Sequence, residues 1–375
     1  MDRLKEVYGY KLKGVGPPSY HLGANYFRDS DGTLGMGAKD YVNKILANYE
    51  RLFGEKPREF VQPVETNDHP EIDTTDLLDK EGISQFQSLV GELQWAVSLG
   101  RFDVHQAVMS LSRFRAAPRE GHLRRAKRVF GYLKKFPEGT IRFRTGIPQH
   151  SEPDHKEFDW AHSVYGDEPE EIPTDLPEPK GKPVRTTTCV DANLYHCLVT
   201  GRACTGILHF VNQTPIEWFS KRQASVETAT YGSEFVAARQ ATEQIMDLRY
   251  TLRAMGMPLD GPSWMFGDNQ SVITSSTIPH SLLSKRHNAL SYHRVREAIA
   301  RKIFYFCKIE GNQNPADCLT KAAGHQVFWP IVKVLLFLSG DTRAVVEEAQ
   351  DASRGVANPR DGEKVSPEKL GGSSE

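Results

Sequence analysis

The stretch Thr186-Thr187-Thr188-Cys189-Val190-Asp191 is a run rich in β-branched residues that ends in a carboxylate. Trp264-Met265-Phe266-Gly267-Asp268 is a second apolar run with the same ending. A long helical pattern between them has Glu234 near its start, and Asp317 opens the last predicted helix. Proteins with an α/β fold place their sites where strands end and helices begin at one edge of a sheet. The sequence therefore predicts that these four carboxylates lie near one such edge.

Glu234 occupies an unusual place in its helix. Steps of four, seven, eleven and fourteen residues from it reach Ala238, Ala241, Ile245 and Leu248, so it lies on or beside the apolar stripe. A lone carboxylate there is costly unless a positive group, such as a metal ion, holds it. The alternative is a first-turn glutamate favoured by the helix dipole. The pattern leaves both interpretations open.

The order of elements after residue 185 predicts an α/β layer fold. It reads as strands 186–192, 204–211 and 215–220, helix 229–255, strand 263–267, helices 269–276 and 291–301, strand 303–309 and helix 315–322. Three strands in a meander, followed by alternating helices and strands, are typical of a mixed sheet.

The first part of the chain has a different pattern. Residues 6–60 predict strands followed by an amphipathic helix, residues 61–80 a polar loop, and residues 81–136 three helices. The last of these helices is basic, and it carries Arg124, Arg125, Lys127 and Arg128. Such a helix could lie along phosphates. A solvated face of a helical bundle is the equally weighted alternative.

Composition excludes several classes of protein. Lys and Arg total 47 against 48 Asp and Glu, so a nucleic-acid surface would have to be a local basic patch. Five cysteines without a CxxC pair predict an intracellular protein with reduced thiols, and neither a disulfide framework nor a zinc site. The chain has no signal-peptide pattern and no apolar run long enough to span a membrane.

Three stretches connect or follow the predicted regions. Residues 151–184 are rich in acidic residues and proline, which predicts a linker or an exposed excursion. Residues 326–350 are predicted to form a C-terminal helical extension, and residues 351–375 a disordered tail.

A set of short motifs occurs in a fixed order. It comprises Asp191-Ala192-Asn193, Thr200-Gly201-Arg202, Thr205-Gly206, Ser220-Lys221-Arg222-Gln223, Gly232-Ser233-Glu234-Phe235, Gly267-Asp268-Asn269-Gln270-Ser271, Lys285-Arg286-His287, Asn314-Pro315-Ala316-Asp317 and Leu319-Thr320-Lys321. The ordered set resembles the C-terminal part of Ty1/copia-type retrotransposon polyproteins, where a ribonuclease H domain follows the reverse transcriptase. The resemblance covers nearly all of residues 8–345.

This resemblance implies a ribonuclease H-like mixed five-stranded sheet over residues 185–325. Residues 1–150 would then be a truncated end of the reverse transcriptase, with a smaller α+β or helical thumb and connection region. Asp191, Glu234, Asp268 and Asp317 would be catalytic residues and ligands of two Mg²⁺ ions, for which Mn²⁺ could substitute. The implied partners are an RNA/DNA hybrid and upstream polyprotein segments, and the implied location is cytoplasmic, including virus-like particles.

The resemblance also implies contacts to nucleic acid outside the acidic cluster. These would be made by Thr205, Ser233, Asn269, Gln270 and His287, together with the four cations of the basic helix. A preference for RNA would come from its 2′-hydroxyl.

Departures from the family pattern leave alternatives. Many relatives have two acids at the start of the long helix, where Glu234 alone stands here, and Asn193 follows where many have a second Asp. Singly, Asp268 could be an N-cap and Asp317 a first-turn residue. The chain contains no Asp-Asp pair, so no DNA synthesis is expected from it alone. The alternatives are a catalytically inactive remnant that only binds nucleic acid and an integrase-type core.

Overall fold

The computed structural model describes residues 18–148, 156–283 and 286–340. The strand predicted near residue 8, Lys285 of the motif set and the predicted tail lie outside these residues. The first described elements form an antiparallel sheet of four strands, β1 (Tyr20–His21), β2 (Ala24–Arg28), β3 (Leu34–Gly37) and β4 (Thr140–Arg142). A turn at residues 29–32 joins β2 to β3.

Four helices lie between β3 and β4. They are α1 (Lys39–Phe53), α2 (Lys80–Ser98), α3 (His105–Ser112) and α4 (Glu120–Lys135). Helix α1 is amphipathic and ends at Gly54, whose φ of 69° is a left-handed conformation that glycine adopts readily. Helix α2 begins after Asp79, whose side chain accepts a hydrogen bond from the backbone N–H of Gly82. The predicted amphipathic helix and three-helix region are confirmed.

The second sheet has five strands, β5 (Thr186–Asn193), β6 (Cys204–Val211), β7 (Thr214–Arg222), β8 (Ser263–Gly267) and β9 (Phe304–Lys308). Their order across the sheet is β7-β6-β5-β8-β9. Strands β5 to β7 form an antiparallel meander, whereas β8 pairs in parallel with both β5 and β9. The predicted fold class, a mixed five-stranded sheet with helices, is confirmed.

The helices of this region are α5 (Thr230–Ala254), α6 (Gln270–Thr277), α7 (Ala289–Ala300) and α8 (His325–Val332). Helix α5 packs on β5 and β6 and buries Phe235, Ala238 and Ile245. The helix predicted over residues 315–322 is instead a short 3-10 segment, Pro315–Leu319. It begins after Asn314, whose side-chain oxygen accepts a hydrogen bond from the backbone N–H of Ala316. The side-chain nitrogen of Asn314 donates to the carbonyl of Val190. No described helix is long and apolar enough to cross a membrane.

One hydrophobic core joins the two predicted regions. Side chains of α1 to α4 pack in the same cluster as Leu208 of β6, Leu319 of the 3-10 segment and Val332 of α8. A second cluster lies between α5 and the sheet and includes Phe235, Val190 and Phe304. The first part of the chain therefore packs directly on the five-stranded sheet and its C-terminal segment.

Residues of the predicted acidic linker also pack on this region. Glu170 accepts hydrogen bonds from both Arg249 and Arg253, at distances between 2.6 and 3.0 Å. Burial alone would raise the pKa of Glu170, but the two guanidinium groups outweigh it and lower the pKa to about 2. Trp160 is buried, and the guanidinium carbon of Arg296 lies 4.9 Å from its ring centroid. The described part of this segment is thus held by specific contacts.

Candidate metal centre

Strand register brings the first two carboxylates together. Cys189 of β5 pairs with Phe266 of β8 in the parallel ladder. Asp191 and Asp268 each follow two residues later, so both lie at the same end of adjacent strands. Apolar strand runs that end in an acid therefore place the two acids side by side, as the sequence predicted.

Helix α5 supplies the third carboxylate. Glu234 is in its first turns, and the helix packs across β5. Asp191, Glu234 and Asp268 each offer a carboxylate oxygen, and the three oxygens lie within 4.8 Å of one another. No other group of three acidic, histidine or cysteine side chains with such spacing occurs in the described part of the chain.

The environment of these acids opposes their ionisation. Asp191 is 1% exposed and Glu234 is 8% exposed. Burial, with Asp191 and Asp268 as neighbours, raises the pKa of Glu234 well above its usual range. Burial also raises the pKa of Asp191, although Lys321 and Thr320 act in the opposite direction. Carboxylates packed this closely need a cation to remain ionised.

Asp317 lies at the edge of the cluster. Burial and the charge of Asp191 raise its pKa to about 6, against the opposing effect of Lys321. The Lys321 ammonium nitrogen is 2.8 Å from Asp317 Oδ1 and 3.3 Å from Asp191 Oδ1. Asp317 is therefore near Asp191 but is linked to it through a lysine.

Sequence reasoning assigned no role to Thr320 or Lys321, although both lie in a quoted motif. The Thr320 hydroxyl donates to Asp191 Oδ2. The signal that could have identified Lys321 is its spacing, since it stands four residues after Asp317. Its contact with Asp191 joins residues 130 positions apart, which no local pattern indicates.

The predicted sugar and phosphate contacts differ in accessibility. Gln270 is exposed, and the His287 side chain is 54% exposed, with Nε2 3.2 Å from Glu227 Oε2. Asn269 caps α6 through its side-chain oxygen. Thr205 and Ser233 are buried, and their hydroxyls bond to Gln223 and to the carbonyl of Thr230. The geometry does not favour a ligand contact by these two hydroxyls, so their role stays a prediction.

The basic helix α4 is more fully paired than its sequence suggests. Arg125 forms ion pairs with Asp68 and Asp73, and Arg128 forms one with Glu65. The Lys127 ammonium lies 3.7 Å from the centroid of the Phe53 ring. Arg124 is exposed, and no ion pair or hydrogen bond to it is found in the described part of the chain. The loop at residues 61–80 supplies the acids that pair with Arg125 and Arg128.

Several proteins similar to this chain are transposon proteins. The chain is 23% identical over 322 residues to the retrovirus-related Pol polyprotein from transposon TNT 1-94 of Nicotiana tabacum, a match covering 85% of this chain and 21% of that protein. It is 32% identical over 148 residues to a putative transposon Ty5-1 protein of Saccharomyces cerevisiae, covering 39% of this chain and 46% of that one. The Pol polyprotein from transposon RE1 of Arabidopsis thaliana matches 249 residues at 23% identity, or 65% of this chain and 14% of the relative. The chain thus spans less than half the length of each.

These relatives confirm the predicted resemblance to Ty1/copia-type retrotransposon Pol polyproteins. No protein-family model matches the sequence.

Similar solved structures include ribonuclease H domains. An N-terminal domain of this kind from Mycobacterium tuberculosis matches at 11% identity and a TM-score of 0.28, over 40% of this chain and 97% of that one. LC11-RNase H1 in complex with an RNA/DNA hybrid matches at 14% identity and a TM-score of 0.28, over 36% and 93%. A foamy viral protease-reverse transcriptase matches at 11% identity and a TM-score of 0.26, over 68% and 50%.

Proposed function

We propose that this chain, similar over most of its length to Ty1/copia-type Pol polyproteins, is a ribonuclease H-type endonuclease. It would cleave the RNA strand of RNA/DNA hybrids with the help of divalent metal ions. The observation that carries the proposal is the group of three carboxylate oxygens, from Asp191, Glu234 and Asp268, within 4.8 Å of one another. Buried like charges repel, so this cluster lowers the stability of the metal-free fold. A role in metal binding explains why the acids lie together.

The donor set fits Mg²⁺ or Mn²⁺. All three groups offer hard oxygen atoms, which these ions prefer, and none offers sulfur or nitrogen. Bound ions would activate a water molecule and stabilise the charge that develops on the phosphate and the leaving oxygen. Asp191, Glu234 and Asp268 would hold them, with Asp317 as a peripheral ligand.

The surrounding residues fix these ligands in place. The Thr320 hydroxyl donates to Asp191 Oδ2 and orients this carboxylate. Asn269 caps α6 directly after Asp268. In the hydrolysis, the water oxygen would bond to phosphorus, one ester bond of the RNA phosphodiester would break, and the leaving sugar oxygen would take a proton.

Cleavage of an end-labelled RNA/DNA hybrid, resolved on a gel in the presence of Mg²⁺, tests this proposal. Wild-type protein should cut the RNA strand, and Glu234→Gln should not. Glu243→Gln is the matched control, because Glu243 is on the same helix but pairs with Arg239 at the surface. Binding of the hybrid without any cleavage by wild type would favour the inactive remnant and refute the nuclease.

A further inference from the structure

Lys321 is the basic residue, within the described ranges, that forms ion pairs with the carboxylate cluster. Its ammonium nitrogen contacts Asp317 Oδ1 at 2.8 Å and Asp191 Oδ1 at 3.3 Å. The Lys321 side chain is 36% exposed, whereas that of Asp191 is 1% exposed. The Thr320 hydroxyl donates to the other oxygen of Asp191, so each oxygen of this carboxylate already accepts one hydrogen bond.

The lysine forms ion pairs on only one side of the cluster. No ion pair to Glu234 or Asp268 is found within residues 18–148, 156–283 and 286–340. Lys308, the other nearby lysine, donates to the backbone carbonyl of Asp268 and not to its carboxylate. The half bounded by Asp191 and Asp317 therefore holds a cation already, and the half bounded by Glu234 and Asp268 does not.

We propose that Lys321 is a built-in counter-ion, which occupies the Asp191–Asp317 half of the cluster until a divalent ion displaces it. This inference rests on the proposed function, because it concerns the same carboxylates. Lys321 and a metal ion would compete for the same oxygens, since each is a cation that needs them. A flexible lysine stem with a partly exposed side chain can move its ammonium group into water.

The competition predicts two unequal metal-binding events. An ion on the Glu234–Asp268 side displaces no ion pair among the described residues, so it should bind first. An ion on the Asp191–Asp317 side must displace Lys321, so it should bind more weakly. In the metal-free protein the lysine should act as a stabilising partner of two buried acids.

Lys321→Met, with Lys308→Met as the matched control, tests the inference through metal binding and stability. Without metal, Lys321→Met should lower the melting temperature by at least ~2 °C, a detectable loss for a chain of this size. In calorimetric titration with Mn²⁺, the second event should tighten about tenfold or more, equal to ~1.4 kcal/mol. Lys308→Met should leave both quantities close to those of wild type. Failure of either result for Lys321→Met overturns the inference.

A measurement on wild-type protein covers the case in which the variant does not fold. Labelling with an amine-reactive reagent, read by mass spectrometry, should modify Lys321 more readily after Mn²⁺ is added, relative to Lys308. Unchanged labelling overturns the inference. Cleavage of the hybrid is judged separately. If Lys321 gives the expected stability, binding and labelling results but wild type does not cleave the hybrid, only the proposed function fails. If wild type cleaves the hybrid but Lys321 does not give those results, only the counter-ion inference fails.

Discussion

The molecule buries charge in two places and compensates it in opposite ways. Arg101 and Asp103 form an ion pair with both side chains 0% exposed, and the Tyr132 hydroxyl donates to the same carboxylate at 2.8 Å. In the other place Asp191, Glu234 and Asp268 bring three acids together, with Lys321 on one side only. A buried charge with its partner in place is part of the fold, whereas a surplus of one sign indicates a missing ligand.

The largest expected difference concerns Asp103. Asp103→Asn should lower the free energy of unfolding by ~3–5 kcal/mol, because it leaves the Arg101 guanidinium buried without its anion. Urea denaturation of the metal-free protein measures this loss. The control is Asp260→Asn, which removes the anion of a half-buried ion pair with Arg185. A change at Asp103 smaller than that of this control would mean that the Arg101–Asp103 pair is not structural and would remove the contrast.

Glu234→Gln should act in the opposite direction. At pH 7 and without metal, it should raise the free energy of unfolding, because burial and the charges of Asp191 and Asp268 raise the pKa of Glu234 and so penalise its ionised form. The same denaturation experiment applies, with Glu243→Gln on the same helix as control. Destabilisation by Glu234→Gln alone would show that the carboxylate is a structural group.

The pH dependence of stability tests whether Asp317 belongs to the group of uncompensated acids. Its pKa of about 6 is raised above the usual value, so the folded protein binds a proton more tightly than the unfolded chain. Metal-free wild type should therefore lose stability relative to Asp317→Asn as pH rises from about 4 to about 6, by ~1–2 kcal/mol. Burial lowers the pKa values of His105, His196 and His209 to about 4, so these histidines add stability as the pH rises. They do so in both wild type and Asp317→Asn, so their contribution cancels when the two proteins are compared. A flat difference between the two proteins would contradict the raised pKa.

The smallest expected effect concerns helix α4. If it contacts phosphates, Arg124→Gln should reduce the salt dependence of hybrid binding by up to ~0.9 in the logarithmic slope. Arg125→Gln should change this slope less, because Arg125 is paired with Asp68 and Asp73. Titrations of binding against salt concentration measure both slopes. Equal slopes for wild type and Arg124→Gln would assign the helix to a solvated face.

Local pattern was sufficient for much of this picture. The apolar runs before Asp191 and Asp268 predicted strands, and the observed β8, Ser263–Gly267, has the predicted bounds. The stripe from Glu234 to Leu248 predicted a helix with an acid at its buried face. Both predictions hold because alternation and helical periodicity determine which side chains face the core.

Long-range compensation could not be predicted in the same way. The acids that pair with Arg125 and Arg128 come from a loop more than fifty residues earlier. Likewise, Glu170 reaches Arg249 from a segment whose composition indicated a linker. The surplus or balance of charge at a buried site depends on which distant elements meet there, and only the fold determines this.

The most direct test of the central claim is the melting temperature of the protein as Mn²⁺ is titrated into it. If Asp191, Glu234 and Asp268 form a metal site, the melting temperature of wild type should rise with metal concentration. At a metal concentration one hundred times the dissociation constant, binding adds ~2.7 kcal/mol to the free energy of unfolding. Glu234→Gln should show little of this rise, and Glu243→Gln should follow wild type. A wild-type melting temperature that does not change with Mn²⁺ would contradict the claim that this surplus of buried charge is a metal site.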